Sequence, residues 1–293
     1  MLPRRHIRIK VFQSLYTYSQ KFKHQSFDLK KEFSKNLESY RTLYYLIIYL
    51  LFTIRVIAKK EINTNKKKLL PKAHDLNPNK KFINNSILKK ITSKEKNTKI
   101  DDIKVNNVSK KIFKKIKKTK IYNEYMHQDE NNLKIEKTLV LKILKTHIIS
   151  NEEIHDFIEE HSIYWNDDLL MVYNTLLEKI NNDHNINILK LFRQKEDKNF
   201  AYELLEKTIK NTDKLNQDIY KLAENWDIER IALSDLIIMR MAITEMKSFA
   251  NIPHKVTLDE YIDISKEYSS PKSKEFVNGI LDKYTKDILE KKL

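Results

Sequence analysis

Apolar residues recur at helical spacing along most of the chain, and the clearest example is the segment "LYYLIIYLLFTI". One stripe at i, i+3 and i+4 spacing contains Leu43, Leu46, Ile47, Leu50, Leu51, Ile54 and Ile57. Tyrosines and other apolar residues cover much of the remaining surface of the same segment, which is typical of a helix packed on several sides. Arg41 and Arg55 bracket this run. A membrane span needs about 20 apolar residues, so the pattern predicts a buried core helix.

The last third of the chain shows the same periodicity in four further segments. They read "NFAYELLEKTIKNTDKLNQDIYKLAENW", "SDLIIMRMAITEM", "TLDEYIDISKEY" and "SPKSKEFVNGILDKYTKDILEK". Ser270 and Pro271 are typical of a cap and a first helical position. The pattern therefore predicts a final helix that begins at Pro271.

Gly279 is the only glycine of the chain, and it lies well inside the last predicted helix. A glycine in a helix interior costs roughly 1 kcal/mol relative to alanine. Close approach of a neighbouring backbone or side chain is the usual physical reason for accepting this cost. We therefore expect a neighbouring group to occupy the place of a Cβ at Gly279.

Residues 63–125 differ from the rest of the chain in their turn-forming residues and in their charge. In "DLNPNKKFINN", Pro78 disfavours the helical conformation of Asn77, which predicts a turn. The run "KKIFKKIKKTK" is either a basic helix laid on nucleic acid or a solvated or mobile surface, and we favour the second interpretation. This basic insertion is expected to be the least ordered part of the chain.

Composition limits the possible functions. The 293 residues include 56 Lys and Arg against 40 Asp and Glu, a formal net charge of +16. Such an excess favours a polyanionic partner, although compositional drift toward lysine accounts equally well for the total. One glycine excludes dinucleotide and phosphate-binding glycine motifs, and the absence of cysteine excludes thiolate chemistry. No cofactor or metal site is expected, and the chain start lacks the apolar core of a signal peptide, so we expect a cytoplasmic protein.

Four blocks of sequence stand out, in this order along the chain: "RRHIRIKVFQSLYTY", "NWDIERIALSDLIIMRMAITEM", "IPHKVTLDEYIDISKEYS" and "SKEFVNGILDK". They resemble, in the same order, blocks of the NusB family of bacterial transcription antitermination factors. The last block is close to the family's S-x-x-F-V-N-G-V-L-D pattern. The segment between the first two blocks is much longer than in a minimal member and resembles a long form of the family.

The resemblance implies an all-α, NusB-like fold of two packed helical bundles with a long helical or irregular insertion. The expected divisions are residues 1–62, 63–125, 126–225 and 226–293. The implied function is binding of boxA-type single-stranded RNA in rRNA leader transcripts, together with the ribosomal protein NusE. This complex would act indirectly on the RNA polymerase elongation complex, without catalysis and without a membrane.

The resemblance also places an RNA-binding surface on the first helix and on the start of the last one. The expected RNA-binding residues are Arg4, Arg5, His6, Arg8, Lys10, Gln13, Tyr16, Lys272, Lys274 and Phe276. Arginine suits phosphate because its planar fork makes bidentate hydrogen bonds. A helical wheel puts His6, Lys10 and Gln13 on one polar face and leaves Arg8 near the apolar edge.

Several roles stay open at the level of sequence. Tyr16 and Phe276 are either core residues or platforms for base stacking. Asp235 either faces the ribosomal-protein partner or pairs internally with Arg230 or Arg240, and we favour the internal pair. The rival function is a generic RNA-binding or ribosome-assembly protein without boxA specificity. A related RNA cytosine methyltransferase is excluded, because that enzyme needs a glycine-rich cofactor loop and catalytic cysteines.

Overall fold

The computed structural model of the chain describes residues 1–21, 28–92, 102–128, 132–223 and 231–290. Within these ranges every regular element is a helix and no strand occurs. The predicted all-α fold class is therefore confirmed.

The chain divides into two compact units. The first, here called the terminal unit, combines Met1–Leu37 with Leu191–Leu293. The second, here called the middle unit, comprises Glu38–Lys190. The divisions expected from the sequence at residues 62, 125 and 225 do not coincide with these limits.

The terminal unit is built from both ends of the chain. Its helices are α1 (Arg4–Lys21), the first turns of α2 (Leu29–Lys66), α11 (Lys195–Lys210), α12 (Thr212–Leu222), α13 (Leu233–Ser248), α14 (His254–Tyr268) and α15 (Ser273–Glu290). The apolar helix α13 packs against α1, α11, α12, α14 and α15, which makes it the centre of this unit. Helix α13 is buried almost all round, as expected for a helix whose apolar residues do not form a single stripe.

The middle unit contains the remainder of α2 and eight shorter helices. They are α3 (Ala73–Leu76), α4 (Lys81–Asn84), α5 (Ser86–Lys90), α6 (Asp102–Lys117), α7 (Lys120–His127), α8 (Leu133–Ile143), α9 (Glu152–His161) and α10 (Trp165–Asn181). Helix α8 continues as a π-helical segment, Leu144–Ile149. This segment packs against α6, α9 and α10.

Helix α2 is the core helix that its apolar pattern predicts. Leu43, Leu46, Leu50 and Ile54 are each no more than 1% exposed. By length and composition alone α2 would span a membrane, but 56% of its most apolar window is buried within the protein. Burial against other helices is the simpler reason for its apolar surface.

The basic insertion is more ordered than its composition suggests. The described part of residues 63–125 forms helices, the longest of which is α6 with 16 residues. Ile112, Phe113 and Ile116 on one side of α6 are buried. In the run "KKIFKKIKKTK" most of the lysines are exposed, which agrees with the interpretation as a solvated surface. A mobile surface does not fit, because the spaced apolar residues of the run are buried and anchor it. The turn at Asn77 is confirmed, since α3 ends at Leu76.

Two expectations for the last helix are wrong. Helix α15 begins at Ser273 rather than at Pro271. A Cβ built on Gly279 would meet no heavy atom within 4 Å, and Gly279 is exposed. The described residues of the terminal unit therefore make no close contact that requires glycine at this position.

Candidate nucleic-acid interface

The three arginines of α1 all form ion pairs within the terminal unit. Arg4 Nε lies 3.1 Å from Asp197 Oδ1. Arg5 reaches two carboxylates of α14, with Nη1 3.0 Å from Asp263 Oδ2 and Nη2 3.3 Å from Glu267 Oε1. The side chains of Arg4 and Arg5 are 34% and 37% exposed. Both are therefore accessible to a phosphate that replaces a carboxylate partner.

Arg8 has a different environment, because it is only 3% exposed. Its Nε and Nη2 donate to Glu245 Oε2 and Oε1 at 2.8 and 2.6 Å, a bidentate pair. Burial by itself lowers the pKa of Arg8, but the hydrogen bond to Glu245 and the surrounding negative charge outweigh burial and raise the pKa above its ordinary value. Arg8 is therefore a structural cation, and the prediction that it contacts RNA is not compatible with this geometry.

Glu245 is the centre of this network, and sequence reasoning did not identify its role. The Thr257 hydroxyl donates to Glu245 Oε1 at 2.9 Å, and the Tyr261 hydroxyl donates to Oε2 at 3.0 Å. The carboxylate thus joins α1, α13 and α14 while being fully buried. The only sequence signal was a single acid in the apolar run of α13. Burial, and then the Glu245 charge, raise the pKa of Tyr261 well above its ordinary value.

His6 and Lys10 also lie inside the terminal unit. They are 4% and 0% exposed, and Lys10 Nζ donates to Asn36 Oδ1 at 2.9 Å. The polar face that a helical wheel assigns to them is covered, because α1 packs against both α11 and α13. As with Arg8, direct RNA contact by these two residues is not compatible with the structure.

The second half of α1 is more open. Tyr16 is 39% exposed, and its hydroxyl accepts a hydrogen bond from Gln20 at 3.3 Å. Gln13 is half-buried, and its Oε1 accepts from Asn36 at 3.2 Å. Of the two roles left open for Tyr16, the structure excludes the core position and leaves the ring available for stacking.

The open half of α1 lies beside the end of α14. The rings of Phe12 and Tyr268 have their centroids 5.1 Å apart. Lys272 follows Tyr268 by four residues, which an extended chain spans in about 14 Å at most. Lys272 and Lys274 are both exposed. The length of the chain therefore keeps the backbone of Lys272 within about 14 Å of Tyr268, the residue that contacts α1.

A serine cluster around Asp235 shapes the loop between α14 and α15. Ser269 Oγ donates to Asp235 Oδ1 at 2.5 Å, and Ser269 and Ser273 hydroxyls are 3.0 Å apart. Asp235 is 4% exposed, so it does not present a surface to a partner. The predicted ion pair with Arg240 is also wrong, because Arg240 Nε donates to Asn216 Oδ1 at 2.6 Å. Arg230, the other predicted partner, lies outside the described residues.

Phe276 belongs to the core. It is 9% exposed, on the buried side of α15 together with Val277 and Ile280. The interpretation of Phe276 as a stacking platform therefore does not apply to this structure.

Comparison with known proteins identifies the family. The model of the NusB family matches residues 168–286. A protein of Salinibacter ruber is 43% identical over 91 residues, which cover 31% of this chain and 57% of the relative. A protein of Alkaliphilus oremlandii is 36% identical over 110 residues, which cover 36% of this chain and 80% of the relative. The chain belongs to the NusB family. No solved structure matches it with significance.

The relatives define how far the NusB comparison extends. Those of Salinibacter ruber and Oleidesulfovibrio alaskensis are both named transcription antitermination protein NusB, and the chain spans only 57% and 54% of their length. Both names describe a role of these relatives in transcription antitermination. Since the NusB model match begins at residue 168, it leaves out α1, and the family resemblance of the first helix stays a prediction.

Proposed function

We propose that this chain is a cytoplasmic transcription antitermination factor that binds boxA-type single-stranded RNA of rRNA leader transcripts together with NusE. The complex acts indirectly on the RNA polymerase elongation complex. Membership of the NusB family and the names of the relatives support this proposal. The structural observation that carries it is the contact between Phe12 and Tyr268, which brings the open half of α1 beside the loop that leads into α15.

The RNA-contacting residues in this proposal are fewer than the sequence predicts. Tyr16 stacks on an unpaired base, an interaction worth about 1–3 kcal/mol in comparable proteins. Lys272 and Lys274 contact phosphates as mobile point charges. Arg4 and Arg5 exchange a carboxylate for a phosphate oxygen.

The buried residues have an indirect role in the proposal. His6, Arg8, Lys10 and Phe276 hold α1 and α15 in place, and they do not touch RNA. Asp235 positions the loop that leads into α15 through Ser269, and we do not assign it to the NusE contact.

The test compares a boxA oligonucleotide with a scrambled one at fixed salt, with and without NusE. We expect tighter binding of boxA and a further gain in affinity with NusE. Equal affinities for the two sequences would leave the rival function, a generic RNA-binding or ribosome-assembly protein.

Two variants test where the RNA-binding surface of the terminal unit lies. Tyr16→Ala should weaken boxA binding by about tenfold or more, since about 1.4 kcal/mol corresponds to a factor of ten. Lys272→Gln should weaken it less and reduce its salt dependence. Lys286→Gln is the matched control, because Lys286 is exposed near the other end of α15. A control variant that loses as much affinity as Lys272→Gln would refute the location.

A further inference from the structure

The positive charge of the chain is concentrated in one segment. Residues 59–120 contain 21 lysines and five acidic residues, a formal net charge of +16. The whole chain also carries +16, so the remaining residues are balanced in charge. Compositional drift would spread lysines along the whole chain. The excess of positive charge is confined to a part of the middle unit, and this confinement indicates a local role.

Part of the concentrated charge lies on α6, a helix that aromatic contacts anchor. On the buried side of α6, the Phe113 ring stacks on Phe82 with centroids 5.7 Å apart and meets Tyr122 edge-on at 6.4 Å. Burial, and then the charge of Glu61, raise the pKa of Tyr122 to about 12. This aromatic cluster fixes α6 against its neighbours, so the opposite side of the helix has a defined orientation.

The opposite side carries a row of cations, here called the lysine ridge: Lys110, Lys114 and Lys118. The first two lie one turn apart on α6, about 6 Å along the helix axis, and Lys118 follows the last helical residue. All three are exposed, and none forms an ion pair with any residue in the described ranges. Like charges at this spacing destabilise a helix, so the ridge is unfavourable unless an anion binds to it.

Neighbouring lysines on the same helix are already paired. Lys111 Nζ lies 3.0 Å and Lys115 Nζ 3.4 Å from the carboxylate of Glu153. Lys117 Nζ lies 2.6 Å from Glu61 Oε1 on α2. The acidic residues near α6 therefore neutralise lysines on both flanks of the ridge and leave the ridge itself unneutralised.

A second group of lysines lies at the same end of the middle unit. The pair between Lys117 and Glu61 brings the end of α6 beside the end of α2. There Lys60, Lys66 and Lys67 are exposed and have no ion pair with a described residue. The ridge thus continues toward a broader cationic area formed by two helices.

We infer that the lysine ridge of the middle unit is a second RNA-binding surface, which holds the sugar-phosphate backbone of a single strand irrespective of sequence. This inference rests on the proposed function, because it takes RNA to be the polyanion that binds to the ridge. Lysine suits this role because its ammonium group is a flexible point charge that tolerates many phosphate positions. Contacts with phosphates add affinity and salt dependence but do not read the bases.

An anionic membrane is the competing occupant of this cationic area. Leu69 and Leu70 follow Lys66 and Lys67 closely in the chain and are 98% and 86% exposed. Lysines beside exposed leucines would also suit a lipid surface. We favour RNA because the three cations of the ridge lie in line along a single helix and its end.

The experiment replaces the ridge in the full-length protein with Lys110→Gln, Lys114→Gln and Lys118→Gln. Binding is measured to a uridine tract of about 40 nucleotides and to a boxA strand of about 12 nucleotides over a series of salt concentrations. For single strands each phosphate contact contributes about 0.7 to the slope of log K against log salt. We expect the slope for the uridine tract to fall by about 2, with a loss of affinity of about tenfold or more.

The matched control removes the same charge from the terminal unit, with Lys210→Gln, Lys214→Gln and Lys221→Gln. These three lysines are exposed and have no ion pair in the described part of the chain. An equal loss of uridine-tract affinity in both triple variants would overturn the inference, because net charge would then explain it. An unchanged salt slope in the ridge variant would also overturn it.

Two further arms separate this inference from the proposed function and from membrane binding. If the wild-type protein binds boxA and a scrambled strand equally well, the proposed function is contradicted. The change in salt slope for the uridine tract in the ridge variant then still tests the inference about the lysine ridge. Vesicles of phosphatidylserine and phosphatidylcholine test the lipid surface. Loss of vesicle binding in the ridge variant, with RNA binding unchanged, would overturn the assignment to RNA.

Discussion

Arg8 provides the sharpest test of the structure, because sequence and tertiary structure assign it opposite roles. The sequence places it on an RNA-binding surface, whereas the structure buries it against Glu245. Replacing Arg8 with alanine would remove two charge-assisted hydrogen bonds and leave a fully buried carboxylate without its cation. We expect Arg8→Ala to destabilise the terminal unit severely.

The size of the loss of stability in Arg8→Ala follows from the cost of leaving the Glu245 carboxylate buried without its cation. Breaking a buried ion pair from one side costs about 3–5 kcal/mol. The loss is a large part of the roughly 5–15 kcal/mol that stabilises a typical domain. Urea unfolding of Arg8→Ala and of the wild type at pH 7 measures the difference in the free energy of unfolding.

Two control variants make the result interpretable. Arg5→Ala removes ion pairs that are partly exposed, so it should cost no more than about 1 kcal/mol. Arg8→Lys keeps a positive charge but loses the bidentate geometry, so its loss of stability should lie between those of Arg5→Ala and Arg8→Ala. It also provides a measurement if Arg8→Ala does not fold. Wild-type stability of Arg8→Ala, with weakened boxA binding, would refute the structural role and restore the sequence prediction.

Three further predictions concern α13, α14 and α15. Gly279→Ala should raise the free energy of unfolding by about 1 kcal/mol, because a Cβ there meets open space; a lower melting temperature would contradict this. Asp263→Asn should strengthen boxA binding up to about fivefold by releasing Arg5, and unchanged affinity in a titration at fixed salt would remove Arg5 from the RNA surface. Asp235→Ala should speed amide hydrogen exchange in residues 269–273, since Ser269 loses its acceptor; unchanged exchange would show that the carboxylate does not order this loop.

The family and the helical nature of the chain follow from local sequence. Periodic apolar residues identify α2 and the helices of the last third, because the period of 3.6 residues depends only on the helix itself. Scarcity of glycine and absence of cysteine exclude whole classes of site on composition alone. The block "SKEFVNGILDK" is specific enough to indicate the NusB family from its residues alone.

The charged residues of α1 depend on partners that are far away in the sequence. The family resemblance gives Arg4, Arg5 and Arg8 one common role as RNA-binding cations. The structure separates them, because their acidic partners lie 193 to 262 positions further along the chain. No local pattern in α1 shows that Glu245 will be buried beside Arg8 and not beside Arg5.

The sequence by itself determined that the chain is helical, that α2 is a core helix, and that the chain resembles NusB. Only the tertiary structure decided which cations face solvent. Packing of α11, α13 and α14 around α1 covers His6, Arg8 and Lys10, while the anchoring of α6 through Phe113 leaves Lys110 and Lys114 exposed. The physical reason is that solvent exposure is a property of the elements packed around a helix, and the helix's own sequence does not contain it.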